Sequence, residues 1–229
     1  MLPQEIKELF EKGAPIYDLT NNFLSLGIDE FWRRKFARSA KLSSGSILGD
    51  IATGTGKVAT QIAKLNPEAT IIGLDFSPHM LKFAQKRIKG VKLNNVFFLV
   101  GDGTALPIKK NSFDGLTIVF GIRNFTRREL ALKEFYEVLK PKGQLLIMEF
   151  GFPQIAIFRF IYQFYFNFIL PRVGNFLWSS PRAYTYFRDS VYTFPPPDKF
   201  IEMIKQAGFK EITFQKLTGG IVNIFEAIK

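Results

Sequence analysis

Hydrophobic residues along the chain follow two alternating rhythms. Short apolar runs end in glycine or an acid: Ile47, Leu48 and Ile51 ahead of Gly54, then Thr70 to Asp75, Val96 to Val100, Gly115 to Phe120, and Gln144 to Phe150. Between them, apolar residues recur three or four apart, as at Val58, Ile62, Ala63 and Leu65, which lays a single stripe along a helix. The runs predict buried strands and the stripes predict helices, including one over Glu129 to Leu139 that a turn at Lys140 to Gly143 ends. Such alternation predicts an α/β fold with a mostly parallel sheet. Its rhythm breaks at the end: an amphipathic helix from Asp198 to Gly208 precedes Glu211 to Leu217 and Gly220 to Ile228, two strands joined around Gly219 and Gly220. So short a connection makes them an antiparallel hairpin and brings the sheet to seven strands.

Two regions lie outside this pattern. At the N-terminus, Ile6, Leu9 and Phe10 mark a short helix within Pro3 to Lys12. From Tyr17 to Phe36, the polar residues Tyr17, Asp18, Asn21 and Asn22 alternate with apolar ones; Asp18 or Thr20 is placed to cap a helix that packs Leu24, Ile28, Phe31 and Trp32 inward. The second region is rich in aromatic residues, from Phe150 to Phe194. We read the chain as one domain, residues 1–229, with an N-terminal helical cap at 1–42 and a helical insertion or lid at 151–195.

Composition narrows the chemistry. The 229 residues include no cysteine and one histidine, which excludes thiolate catalysis and cysteine-bound zinc and argues against a histidine-rich metal site or a Ser-His-Asp triad. His79 falls in the first turn of a helix that Ser77 caps and Pro78 begins, a structural place near the surface. The formal net charge is +11, but the lysines and arginines are scattered and form no nucleic-acid-binding signature. An amphipathic, acid-containing N-terminus is unlike a signal peptide and leads us to expect a cytoplasmic protein.

The stretch Ser46 to Val58 carries the most chemistry. Asp50 precedes Gly54, Thr55 and Gly56, so a buried strand turns sharply into a helix whose free N–H groups face a ligand. A phosphate-binding P-loop is excluded, because Ile51 stands where its first glycine belongs and Val58 where its Ser/Thr belongs. A nicotinamide dinucleotide fits the spacing Gly54, Gly56, Ala59 and the following Asp75. S-adenosylmethionine also fits, with Asp50 as an anion near its ammonium and sulfonium. On either reading the fold is Rossmann-like and doubly wound, Asp75 holds the ribose hydroxyls, and Phe76 lies against the adenine. Asp102, at the end of the third strand, is placed to accept from an adenine amino group, which favours S-adenosylmethionine. Gly121 to Asn124 follow the fourth strand, beside the switch point where a substrate meets its cofactor.

The chain resembles the class I S-adenosylmethionine-dependent methyltransferases, and more narrowly the ubiquinone/menaquinone biosynthesis C-methyltransferases. That resemblance rests on I-L-G-D-I-A-T-G-T-G from Ile47, Y-D-L-T-N-N-F-L-S from Tyr17, G-D-G-T-A-L-P from Gly101, V-F-G-I-R-N-F from Val119, F-Y-E-V-L-K-P-K-G from Phe135, Y-T-Y-F-R-D-S from Tyr184 and L-T-G-G-I-V from Leu217. It implies S-adenosylmethionine contacts at Thr55, Asp75, Asp102, Gly103 and Val119, with Asp50 and Gly56 shaping the amino-acid end, beside Gly54 of the same turn. Arg123 and Asn124 match the acceptor side, and Tyr17 orders the acceptor or closes over the cofactor. The implied substrate is a demethylated polyprenyl quinol, demethylmenaquinol first. The chain departs from the family where Thr20 replaces Met, Asp29 replaces His, Lys57 replaces Asp and Gly151 replaces Ser.

In Ile155 to Leu170, Arg159, Gln163 and Asn167 fall four apart and predict a narrow polar face on an otherwise apolar helix. Sixteen residues reach ~24 Å at ~1.5 Å each, short of the ~30 Å hydrocarbon core of a bilayer. The stretch therefore suits a core helix, a homodimer interface, or a lid that contacts the membrane and covers an isoprenoid tail; a basic surface would assist such peripheral docking.

Overall fold

The computed structural model describes residues 18, 22, 25, 27–169, 172 and 181–229, with side chains from 185 onward in the last stretch. The helix expected at Pro3 to Lys12, together with Tyr17, Thr20, Asn21 and Leu24, lies outside these residues.

Seven strands form one sheet: β1 (Ile47–Ile51), β2 (Thr70–Asp75), β3 (Val96–Val100), β4 (Phe113–Val119), β5 (Leu139–Phe150), β6 (Lys210–Leu217) and β7 (Val222–Ile228). Their order is β3-β2-β1-β4-β5-β7-β6. The first five pair in parallel, while β7 runs antiparallel to both β5 and β6. The expected doubly wound sheet with a terminal antiparallel hairpin is therefore present.

Helices follow the strands as the apolar stripes require. They are α1 (Ile28–Ala37), α2 (Lys57–Leu65), α3 (Pro78–Gly90) and α4 (Arg128–Val138). Next come α5 (Ala156–Phe164), a π-helical segment at Tyr165–Ile169, α6 (Pro181–Tyr192) and α7 (Pro197–Gln206). Two apolar layers hold these elements to the sheet. One gathers Trp32, Phe36, Ile62 and Ile71, and the other gathers Leu116, Phe135, Phe200 and Phe225.

Three expectations need correction. Lys140 to Gly143 does not end before β5 but bulges within it, between the pairs Phe113–Leu139 and Gly115–Gln144, with Lys142 left-handed at φ 63°. The C-terminal Lys229 stitches this bulge to the sheet, accepting from Lys142 N and donating to Gly143 O, each at 3.1 Å. Leu65, Ile28 and Phe31 are exposed, so neither α2 nor α1 buries its whole predicted stripe. In α1 the buried face is instead Asp29, Trp32, Arg33, Phe36 and Ala37, because the Asp29–Arg33 ion pair turns toward the glycine loop.

The third correction concerns the aromatic segment. No residue of α5 is buried, which removes the reading of a core helix. Tyr162 of α5 and the buried Phe166 of the π-helical segment form the inner side of this stretch, packing on Phe152, Phe187 and Val191. The expected polar stripe is interrupted: Arg159 folds back to donate to the carbonyls of Pro153 and Gln154, and the π-helical turn shifts the phase before Asn167. What faces outward is apolar, including Ile157, Phe158, Phe160, Ile161, Phe164 and Phe168, each more than half exposed.

Candidate active site

The strand order reverses between β1 and β4, and their carboxyl ends open a crevice. Each is followed at once by a left-handed non-glycine residue, Ala52 at φ 52° and Phe120 at φ 56°. Such backbone strain gathers at sites where side chains must be aimed. After Ala52 the glycine loop turns through Gly54 at φ 57° and Gly56 at φ 73°. A Cβ on Gly56 would stand 2.9 Å from the Ala84 Cβ, so only glycine lets α2 begin this close to α3.

Two buried carboxylates hold the loop. Asp50 is 1% exposed and accepts from the Thr53 hydroxyl at 2.6 Å and the Thr117 hydroxyl at 2.7 Å. Burial pushes its carboxyl upward, against the two hydroxyls, the Arg33 charge and the Ala59 amide at the start of α2. Protein groups thus engage both its oxygens. Asp75 accepts from Gly54 N at 2.8 Å and from Ser77 N at 2.9 Å, tying the glycine loop to the N-terminus of α3. Burial raises its carboxyl from the ordinary range to about 6, with the Asp50 charge adding to the shift. Ser77 caps α3 through Met80 N and Pro78 begins it, as expected, with His79 exposed.

Phe76 is half-buried beside Asp75, and Val119 is buried at the end of β4. The loop after β3 crosses toward β1: a Cβ on Gly103 would meet Phe125 at 2.6 Å and Ile51 at 3.1 Å. Asp102 stays exposed and accepts from the Thr104 amide and hydroxyl, both at 2.8 Å. Asp50, Gly54, Thr55, Gly56, Asp75, Phe76, Asp102, Gly103 and Val119 therefore lie along the carboxyl ends of four adjoining strands. A buried carboxylate at a ribose position, held by two backbone amides, and a glycine turn beside it suit an adenosyl cofactor.

On the other side of the crevice, a short 3-10 turn at Ile122–Asn124 follows β4. Arg123 is 6% exposed, and its Nη1 donates to Glu149 Oε1 at 2.9 Å and to the Phe120 carbonyl. Glu149 is wholly buried at the end of β5, where it also accepts from Arg123 N and Phe150 N. The guanidinium sits 5.4 Å from the Phe150 ring centroid and 5.2 Å from that of Phe187, and its Nε is buried with no partner. Arg128 Nη2 donates to the Arg123 carbonyl at 2.8 Å. Asn124 Oδ1 accepts from the Tyr186 hydroxyl at 2.8 Å. Tyr17, the third acceptor-side candidate, lies outside the described residues.

The sequence alone singles out neither Glu149 nor Tyr186, although Tyr186 lies within the Y-T-Y-F-R-D-S motif that carries the resemblance. Nor does it join Asp18 to the glycine loop. Asp18 accepts from the Thr55 hydroxyl at 2.8 Å and pairs with Arg87, whose Nε donates to the Thr55 carbonyl at 2.9 Å. Lys57 Nζ lies 3.5 Å from Asp29 and 3.8 Å from Asp18. Two of the departures from the family pattern, Asp29 and Lys57, thus meet as an ion pair. Their separation in sequence hid this, since only the packing of α1 on α2 brings them together.

Known proteins resemble this chain over its length. The Geobacter sp. (strain M21) protein named ubiquinone/menaquinone biosynthesis C-methyltransferase UbiE is 40% identical over 228 residues, 99% of this chain and 97% of its own. A Deinococcus radiodurans demethylmenaquinone methyltransferase is 38% identical over 222 residues, covering 97% and 91%. Among solved structures, a Thermotoga maritima S-adenosylmethionine-dependent methyltransferase superposes with a TM-score of 0.70 at 21% identity, covering 97% of this chain and 99% of that one. At that identity the superposition speaks for the fold alone. A model of the ubiE/COQ5 methyltransferase family matches residues 2–229, and on that match and these relatives the chain belongs to the ubiE/COQ5 methyltransferase family.

Proposed function

We infer that the chain transfers a methyl group from S-adenosylmethionine to a ring carbon of a demethylated polyprenyl quinol, demethylmenaquinol first, in respiratory quinone biosynthesis. Family membership supports the donor and the reaction and removes the nicotinamide reading that the glycine spacing allowed. Bound S-adenosylmethionine supplies an electrophilic methyl group. Asp75 receives the ribose hydroxyls, Asp102 and Phe76 the adenine, and Gly54, Thr55 and Gly56 the amino-acid end, with Gly103 and Val119 as walls. Asp50 acts by holding the loop.

The observation that carries the acceptor reading is the buried guanidinium of Arg123 beside Asn124 at the end of β4. A ring carbon becomes nucleophilic when the neighbouring hydroxyl loses its proton. Arg123 and Arg128 together outweigh Glu149 by one positive charge, which favours the phenolate over the phenol. A guanidinium offers N–H donors and no acceptor, so Arg123 stabilises the anion and leaves the proton to another group.

The described part of the aromatic segment, residues 155–169, acts as a lid whose apolar outer face rests on the membrane that holds the quinol, and α1, packed on α2, belongs to the N-terminal cap. The test is incorporation of labelled methyl into a reduced demethylmenaquinone analogue in detergent. Label on a ring carbon is expected from wild type, with losses of at least ~100-fold in Arg123→Ala and Asp75→Ala. Donor binding without incorporation would move the search to other acceptors.

A further inference from the structure

The Tyr186 hydroxyl is placed where the catalytic loop needs a fixed donor. Its helix, α6, packs against the 3-10 turn that carries Arg123 and Asn124. Two successive residues of α6 reach that turn: Tyr186 bonds the Asn124 side chain, and Phe187 lies against the Arg123 guanidinium. Phe187 in turn packs on Phe150 at 5.3 Å and on Phe166 at 5.6 Å. The acceptor-side turn is therefore gripped by the same segment that presents the apolar outer face.

A primary amide can point either end at a ligand, and its chemistry reverses with the choice. A hydroxyl that donates to Oδ1 occupies the oxygen and leaves the two N–H donors of Asn124 for another acceptor. Arg128 lies near enough to interact electrostatically with Tyr186, as do Arg123 and Glu149. None of the three charged groups bonds the Asn124 side chain. Burial holds the Tyr186 phenol above its ordinary range, so it keeps its proton and remains a donor at neutral pH.

We propose that Tyr186 is a positioning residue for methyl transfer: its hydroxyl donates to Asn124 Oδ1 and so turns the Asn124 N–H groups toward a hydroxyl or phenolate oxygen of the acceptor ring. Asn124 then fixes the ring while Arg123, set by Glu149, stabilises its negative charge. Tyr186 acts only through Asn124, which gives the idea a sharp test. It rests on the acceptor side assigned above.

The experiment is a double-mutant cycle of Tyr186→Phe and Asn124→Ala, read as kcat and KM for the reduced quinone analogue, with donor Kd and melting temperature measured in parallel. Tyr186→Phe keeps the ring and removes only the hydroxyl. Expected are a fall of roughly 10- to 100-fold in kcat/KM for the acceptor, an unchanged donor Kd, and no further loss when Tyr186→Phe is added to Asn124→Ala. No loss from Tyr186→Phe alone overturns the proposal. So does an equal loss in both backgrounds, which would assign the hydroxyl to packing of α6. Absence of transfer by wild type would overturn the acceptor reading and this proposal together.

Discussion

Asp75 serves two demands that oppose each other. Ribose hydroxyls bind best to a charged carboxylate, yet burial raises this group to about 6. In the unliganded protein the proton is held more tightly in the folded state than in the unfolded one. Its contribution to stability is therefore complete below the unfolded value of 3.8 and is lost as pH rises through about 6. Above that pH, the buried charge costs roughly 3 kcal/mol in the absence of donor. Donor binding should run the other way: affinity for S-adenosylmethionine is expected to weaken by up to tenfold per pH unit below about 6 as protons compete for the carboxylate. Calorimetry between pH 5 and 8 checks this, and a flat wild-type profile would remove Asp75 from the donor contacts. Asp75→Asn should lose both affinity and this pH dependence.

The packing of α1 on α2 decides what the unusual residues at 29 and 57 mean. In sequence they are separate departures from the family pattern. In space Lys57 lies between Asp29 and Asp18, with side-chain exposures of 15%, 5% and 29%. Lys57→Asp would set three carboxylates together and should destabilise the protein by roughly 3 kcal/mol. Adding Asp29→His to that variant should restore part of the loss, since opposite charge returns with its direction reversed. Urea midpoints of the two single variants and the double variant measure the coupling; strictly additive effects would show that the pair does not act as a unit. The same logic explains why α1 does not bury Ile28 and Phe31, as the ionic face occupies the position facing the glycine loop.

At the scale of the molecule, the outward face of α5 and the π-helical segment exposes Ile157, Phe158, Phe160, Ile161, Phe164 and Phe168 close together in sequence. Among the described residues no helix is long and apolar enough to cross a membrane. The proposed contact along a surface fits that length, and a net charge of +11 would favour an anionic one. Replacing Phe160 and Phe164, 69% and 53% exposed, by serine should release the protein from anionic liposomes with little change in donor affinity. Flotation and calorimetry on the same variant read the two effects. Undiminished flotation would sink the membrane contact and favour an interface between copies, which sedimentation would register.

Local sequence determined the central strands, the glycine turn and the hairpin, because each rests on interactions between near neighbours: alternating burial, backbone turns at glycine, and a serine cap before a proline. Asp75 was legible for the same reason, as an acid closing an apolar run. Tertiary structure alone decided which distant charges pair, Arg123 with Glu149 and Lys57 with Asp29, because side-chain partners across elements depend on how those elements pack. It also decided the exposed side of the aromatic segment, where the narrow polar stripe of Arg159, Gln163 and Asn167 is broken by the fold-back of Arg159 and the π-helical turn. There the choice fell to Phe152, Phe187 and Val191, which cover Tyr162 and Phe166 and leave Phe160 and Phe164 outside. Tyr186 became recognisable only when α6 brought its hydroxyl to Asn124, sixty-two positions away in the chain.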